Sequence, residues 1–88
     1  MIVELYTSAF CAPCRAARRV VGEAARLVPA ARVTELDVAD HVDLAAAQRI
    51  TSTPTVLVRD DRGREVFRAA GAPTVPQVLA ALGRALEP

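Results

Sequence analysis

The sequence predicts an α/β fold with one domain over residues 1–88 and the element order β-α-β-α-β-β-α. Three patterns support this prediction. A helical apolar period separates two β-rich segments in the first half, a turn joins two further β-rich segments, and an amphipathic helix ends the chain. A strand–helix–strand unit implies a parallel, right-handed crossover, and the hairpin adds an antiparallel pair. We therefore expect a four-stranded mixed sheet with helices on both faces.

The first half of the chain is predicted to contain two strands and the first helix. Residues 2–6 and 32–38 are rich in β-forming side chains and are assigned to strands. Between them, residues 12–28 show a helical period that stops just before Pro29. The apolar positions expected on the buried side of this helix are Ala17, Val20, Val21, Ala24, Leu27 and Val28.

The second half is predicted to contain a short helix, a hairpin and a last helix. Asp40 is the expected N-cap of the short helix over 41–50. The two hairpin strands and their turn are assigned to 55–60, 64–70 and 61–63. Thr74 opens the last helix, and Pro76 is tolerated because it falls in the first turn. The expected apolar stripe of this helix is Val75, Val78, Leu79, Leu82 and Leu86.

Composition excludes several classes of function. A net charge of +1 gives no electrostatic reason to expect nucleic acid as a partner. No apolar run approaches the ~20 residues of a membrane span. The first residues carry no basic segment of the kind that opens a signal peptide. We therefore expect a cytoplasmic monomer, in a compartment where disulfides are rare and mostly transient or catalytic.

The stretch "FCAPCR", residues 10–15, contains both cysteines of the chain. A structural disulfide between Cys11 and Cys14 would close so short a loop that it would add only about 2 kcal/mol in the chain-entropy model. Structural zinc needs four ligands, and the chain offers one cysteine pair and one histidine, His41. Cu(I) on two thiolates, or zinc shared between subunits, has no positive support in the sequence. A redox pair is the favoured interpretation, and it requires no metal or other cofactor.

Each feature of this stretch is consistent with a redox pair. Cys11 falls where the first strand has ended and the helix begins, and the N-terminus of a helix lowers the pKa of a thiol. Cys14 lies three residues on, so the two sulfurs share a face. Pro13 takes an early helical position whose N–H would be unpaired anyway. We predict that Cys11 attacks a substrate disulfide and that Cys14 resolves the mixed disulfide.

Together with "STPTV" before the third strand and Gly71 after the fourth, "FCAPCR" resembles the thioredoxin superfamily over essentially the whole chain. The resemblance implies a thioredoxin-like fold, a cis peptide bond at Pro54, and backbone pairing of Thr53 with substrate. It also implies that Gly71 and Ala72 form a further side of the substrate groove. Phe10 stands where a tryptophan is common and Arg15 where a lysine is usual. The substrate-binding residues that it implies are Phe10, Ala12, Pro13, Thr53, Pro54, Gly71 and Ala72.

The sequence leaves the branch of the superfamily open. The chain begins at the strand that leads into the cysteines and so resembles the smaller glutaredoxins in length. Pro13 and the "STPTV" loop resemble thioredoxins, while Ser8 and "GAPT" (71–74) replace the residues that bind glutathione in glutaredoxins. We favour a reductant of protein disulfides, recycled by a reductase or a low-molecular-weight thiol. The alternatives are a glutaredoxin-like enzyme and a non-catalytic domain that binds a partner or relays a metal.

Glu4 is the only acidic residue of the first strand. Many thioredoxins bury an aspartate beneath the cysteines, where it relays the proton of the resolving thiol. Glu4 lies seven positions before Cys11, one more than that pattern has. A buried carboxylate can act as a base, so Glu4 is a candidate proton relay, with a solvated strand residue as the simpler interpretation.

Overall fold

The computed structural model describes residues 1–87 and shows seven elements in the predicted order. They are β1 (Ile2–Thr7), α1 (Ala12–Leu27), β2 (Arg32–Asp37), α2 (Val42–Ala47), β3 (Thr55–Arg59), β4 (Glu65–Ala70) and α3 (Val75–Ala85). The sheet order is β2-β1-β3-β4, with β1 and β2 parallel and the other two pairs antiparallel. The predicted parallel crossover and terminal hairpin are both confirmed. The sequence did not predict that β1 pairs with β3.

Alternation along β1 divides the core between the two faces of the sheet. Val3 and Leu5 belong to a cluster with residues of α1, β3 and α3, including Val21 and Leu82. Tyr6 faces the other way and forms a second cluster with Leu36 and Leu57, against which Val38 and Ile50 pack. The helices α1 and α3 therefore cover one face, and the segment that ends α2 covers part of the other.

The cap predicted for α3 is confirmed. The Thr74 hydroxyl accepts a hydrogen bond from the backbone N–H of Gln77, whose side chain accepts one from the N–H of Thr74. Pro76 lies in the first turn, as expected.

The cap predicted for α2 is wrong. The N-cap residue is His41 rather than Asp40, and its side chain makes no capping bond. The turn is held instead by Asp37, whose Oδ1 accepts from the N–H of Ala39 at 2.8 Å. The helix is also shorter than predicted, because Arg49 takes φ 57° and its N–H turns back to the Ala46 carbonyl.

Two leucines predicted on buried stripes are exposed. Leu27 is 64% exposed and Leu86 is 62% exposed. At about 100° of rotation per residue, each lies roughly 80–100° from the centre of its helix's buried face. The buried positions of α1 are Cys14, Ala17, Val21 and Ala24, and those of α3 are Val78, Ala81, Leu82 and Ala85. Among residues 1–87, no helix has the length and apolarity needed to cross a membrane.

Candidate active site

Both cysteines lie at the N-terminus of α1, directly after the loop that follows β1. Cys11 is the N-cap residue, and its Sγ accepts a hydrogen bond from the backbone N–H of Cys14 at 3.1 Å. Pro13 lies in the first turn, where a missing N–H costs no helical bond. A disulfide joins the two sulfurs, and the Cα atoms are 5.2 Å apart. The predicted pairing of these thiols is present.

The two sulfurs differ in access to solvent. Cys14 is 1% exposed on the buried face of α1, whereas Cys11 is partly exposed. A helix N-terminus carries a partial positive charge, and the first turn of α1 contains no acidic residue to offset it. This position favours a thiolate at Cys11 once the disulfide is reduced. The geometry suits attack by Cys11 and resolution by Cys14.

The loop before β3 lies against the loop that leads from β1 to the cysteines. The Thr53–Pro54 peptide bond is cis, and the Pro54 side chain is fully buried. Across the two loops, the hydroxyls of Ser8 and Thr53 lie 2.6 Å apart and share a hydrogen bond. The N–H of Gly71 donates to the Pro54 carbonyl at 2.8 Å. We call this region, where Thr53, Pro54 and Gly71 adjoin the loop that leads to Cys11, the proline groove.

The sheet register brings these loops together. Tyr6 lies opposite Thr55 in the antiparallel β1–β3 pair, and Thr55 lies opposite Ala70 in the β3–β4 pair. The end of β1, the start of β3 and the end of β4 therefore lie next to one another at one end of the sheet. Sequence reasoning missed the bond between Ser8 and Thr53, because a hydroxyl residue in each of two surface loops is too common to be a signal.

The remaining predicted contacts lie at the surface around Cys11. The side chain of Phe10, which stands where a tryptophan is common in the family, is fully exposed, at 108% of the reference area. Its φ of 56° lies in the left-handed region, which is uncommon for a bulky residue and occurs where the chain turns from β1 into α1. Ala12, Pro13 and Ala72 are also exposed. Their contacts with a substrate stay predictions.

Glu4, the candidate proton relay, lies on the face of the sheet away from α1. Val3 and Leu5 face α1 and α3, so the side chain of Glu4, between them, lies on the opposite face of the sheet. There its Oε1 accepts a hydrogen bond from Nε of Arg59 at 3.0 Å, and Arg59 also donates to Gln48. The sheet therefore separates this carboxylate from the cysteines, and the β1 side chain that faces α1 is the apolar Leu5.

Glu4→Gln should leave the rate of thiol exchange unchanged and lower the free energy of unfolding by about 1 kcal/mol. The loss arises because the pair with Arg59 is only 18–19% exposed and is less screened than a surface pair. Stopped-flow exchange and urea unfolding measure the two quantities. Glu65→Gln is the matched control, since its pair with Arg68 is more exposed. Slower exchange with unchanged stability would show that Glu4 takes part in the exchange reaction.

An ion pair that sequence reasoning missed lies near the cysteines. Arg18 of α1 donates to Glu35 of β2 through Nε at 2.8 Å and through a terminal nitrogen at 2.7 Å. Hydrogen bonding from Arg18 holds the pKa of Glu35 below its usual value, and the same bonds raise the pKa of Arg18. No local pattern marks these residues, which become neighbours only through the packing of α1 on β2.

Residues 1–87 contain no group of three or more histidine, cysteine or acidic side chains arranged to hold a metal ion. His41 lies at the N-terminus of α2 and is exposed.

Comparison with known proteins identifies the family. The thioredoxin family model matches residues 1–83. The chain is 33% identical to a thioredoxin of Methanocaldococcus jannaschii over 85 residues, which cover 96% of this chain and 94% of that protein. It is 38% identical to a thioredoxin of Mycoplasma genitalium over 71 residues, which cover 81% of this chain and 68% of that protein.

The fold comparison agrees with the sequence comparison. The structure of thioredoxin 1 from Thermosipho africanus matches 98% of this chain and 94% of its own, with a TM-score of 0.83 and 22% identity. The observed α/β architecture is thus the thioredoxin-like fold that the sequence predicted. The family match, together with the Cys11–Cys14 disulfide at the start of α1, shows that this chain belongs to the thioredoxin family and is a thiol–disulfide oxidoreductase.

Proposed function

We propose that the protein works in the reducing direction, as an electron donor to disulfides in other proteins. The observation that supports attack on a client disulfide is the position of Cys11, which is partly exposed at the N-terminus of α1. In this proposal Thr53 pairs through its backbone with an extended client peptide, as a strand does when it is added to a sheet. Cys14, being buried, is reached by Cys11 but not by a large client.

The proposed reaction has two exchange steps. The Cys11 thiolate attacks one sulfur of the client disulfide, which forms a mixed disulfide and releases the other client sulfur as a thiolate. The Cys14 thiolate then attacks the Cys11 sulfur, which forms the Cys11–Cys14 disulfide and releases the second client thiolate. The client gains two electrons and two protons, and the cysteine pair loses the same number. The sulfurs carry all the electrons, and we propose no metal, flavin or nucleotide cofactor.

The proposal also specifies partners and a compartment. Each cycle leaves the cysteine pair oxidised, so a reductase or a low-molecular-weight thiol must reduce it again. We place the protein in the cytoplasm, because a donor of this kind needs surroundings that keep its dithiol reduced. One chain supplies Cys11, Cys14 and the whole proline groove, and we propose that it acts as a monomer.

Equilibration in a series of glutathione buffers tests the proposal. The samples are quenched with acid, alkylated and measured by intact mass, which separates the dithiol, the internal disulfide and any glutathione adduct. We expect one two-electron transition at roughly −270 mV, the potential of a thioredoxin-type reductant.

Other results of that titration would change the proposal. A midpoint near roughly −200 mV, with an adduct accumulating on Cys11, would assign the protein to glutathione-linked exchange instead. Thiols that never pair in any buffer would contradict both versions. Reduction of insulin with dithiothreitol as the electron source then tests directly whether protein disulfides are substrates.

A further inference from the structure

A depression lined by both cysteines lies between α1 and the sheet. It is a cleft of about 560 Å³ between the start of α1 and the ends of β1 and β2, and we call it the cysteine cleft. None of the proline-groove residues Thr53, Pro54 and Gly71 lines it. Its lining includes both cysteines, Thr7, Arg18 and Glu35.

The Arg18–Glu35 pair spans this cleft from helix to strand. Arg18 lies one helical turn after Cys14, so both residues occupy the same side of α1. Side chains of a helix lean toward its N-terminus, which for Arg18 is the direction of the cysteines. Glu35 holds the guanidinium through two hydrogen bonds and itself accepts a third, from the Thr7 hydroxyl at 3.2 Å. These hydrogen bonds therefore hold the charged groups of Arg18 and Glu35 in defined positions in the cleft, which both cysteines line.

Four charged side chains line the cysteine cleft. Arg15 and Arg18 come from α1, and Glu35 and Asp37 come from β2. Of these, only Arg18 and Glu35 form a salt bridge among the described residues, and their side chains are 49% and 38% exposed. Both members stay charged across the neutral range, because their mutual hydrogen bonds raise the pKa of the arginine and lower that of the glutamate. A positive charge in this cleft stabilises a thiolate, and a negative charge destabilises it.

We propose that the Arg18–Glu35 pair sets the acidity of the active-site thiols: Arg18 stabilises the thiolate, and Glu35 limits that stabilisation. A thiolate is the attacking species in both exchange steps, and its stability also fixes the potential of the pair, since a stabilised reduced form makes a stronger oxidant. Arg18 and Glu35 take no part in the exchange steps themselves. They are positioning residues that act through Cys11 and Cys14. The proposal rests on the thiol–disulfide activity and not on the identity of the client.

The test compares Arg18→Gln with Glu35→Gln. Both variants break the same ion pair between α1 and β2, but they remove charges of opposite sign. The acid dissociation constant of Cys11 is measured from the ultraviolet absorbance of its thiolate, in the reduced Cys14→Ser background where Cys11 is the only thiol. The potential is measured separately, with both cysteines present. Arg19→Gln and Glu23→Gln are the matched controls. Each removes a charge of the same sign as the variant it matches, from a residue of α1 that does not line the cleft.

We expect Glu35→Gln to increase the acid dissociation constant about fivefold and to raise the potential, and Arg18→Gln to decrease the constant about fivefold and to lower the potential. A fivefold change is about 1 kcal/mol, the size of a Coulomb interaction between partly exposed charges. The double variant should return close to the wild-type constant. Arg18→Lys, which keeps the charge, should stay within about twofold of wild type.

Two results would overturn the proposal. If both Gln variants moved the constant in the same direction, or no further than the two controls, the pair would be only a structural contact between α1 and β2. If Arg18→Lys changed the constant as much as Arg18→Gln, the charge would not be the cause. Should a Gln variant fail to fold, Arg18→Met and Glu35→Ala remove the same charges and give the same comparison. No client enters these measurements, so their outcome is independent of whether protein disulfides are the substrate.

Discussion

Cys11→Ser reduces client turnover to the uncatalysed rate, and Cys14→Ser holds the protein on its client as a stable mixed disulfide. These are the largest effects on activity that we expect from any substitution. Cys11 is the accessible sulfur at the N-terminus of α1, and a serine hydroxyl there cannot attack a disulfide at neutral pH. Without Cys14 the first exchange still occurs, but no thiolate remains beside the mixed disulfide to resolve it.

The measurement is insulin reduction for Cys11→Ser and capture from lysate for Cys14→Ser. Captured clients should be released by dithiothreitol and identified by mass spectrometry. The double variant Cys11→Ser/Cys14→Ser is the control, and it should capture nothing. Turnover that survives in Cys11→Ser, together with an empty capture by Cys14→Ser, would show that the two roles are assigned the wrong way round.

Leu82→Ala should lower the free energy of unfolding by about 3 kcal/mol, the largest effect on stability that we expect from one truncation. Leu82 is fully buried in α3, in a cluster with Val21, Val56 and Val78. A buried leucine truncated to alanine costs about 2–5 kcal/mol, because the transfer free energy is lost and a cavity remains. A domain of this size has only ~4–13 kcal/mol of stability, so the variant should be close to unfolding on warming.

Leu86→Ala is the matched control for this truncation. It removes the same atoms from a leucine one turn further along the chain, at a position that is 62% exposed, and should change stability by about 0.5 kcal/mol or less. Urea unfolding of the oxidised proteins, followed by circular dichroism because the chain has no tryptophan, gives both values. Equal losses in the two variants would contradict the assignment of the buried face of α3.

The order and type of every element could be predicted, because each is marked by local signals. The period of residues 12–28 and the Thr74 cap needed no knowledge of the rest of the chain. The end of α2 could not be predicted, since it depends on Arg49 taking a left-handed conformation that favours glycine. The pairing of β1 with β3 was also missed, because it joins residues about fifty positions apart and no turn connects the two strands directly.

The residues of the candidate site also fall into those that the sequence could predict and those that it could not. Cys11, Cys14 and Pro54 belong to short motifs and could be found from the sequence. The side of the sheet on which Glu4 lies could not be predicted, because the sequence does not say which face of β1 meets α1, and the answer reverses with each successive residue. Arg18 and Glu35 are ordinary exposed residues of their own elements, so only the packing of α1 on β2 shows that they lie near the cysteines.

The position of β1 and β3 at the centre of the sheet has a practical consequence for engineering. The backbone ladder between these strands sets where the loop after Thr7 stands relative to the loop before Thr55, so the spacing of these two loops does not depend on the dipeptide between the cysteines. Ala12 and Pro13 are exposed and contribute nothing to the buried core. The pair can therefore be exchanged without disturbing the sheet that holds the two loops in place. Variants of this dipeptide would therefore change the surface next to Cys11 while the Thr53–Pro54 loop keeps its position relative to the end of β1.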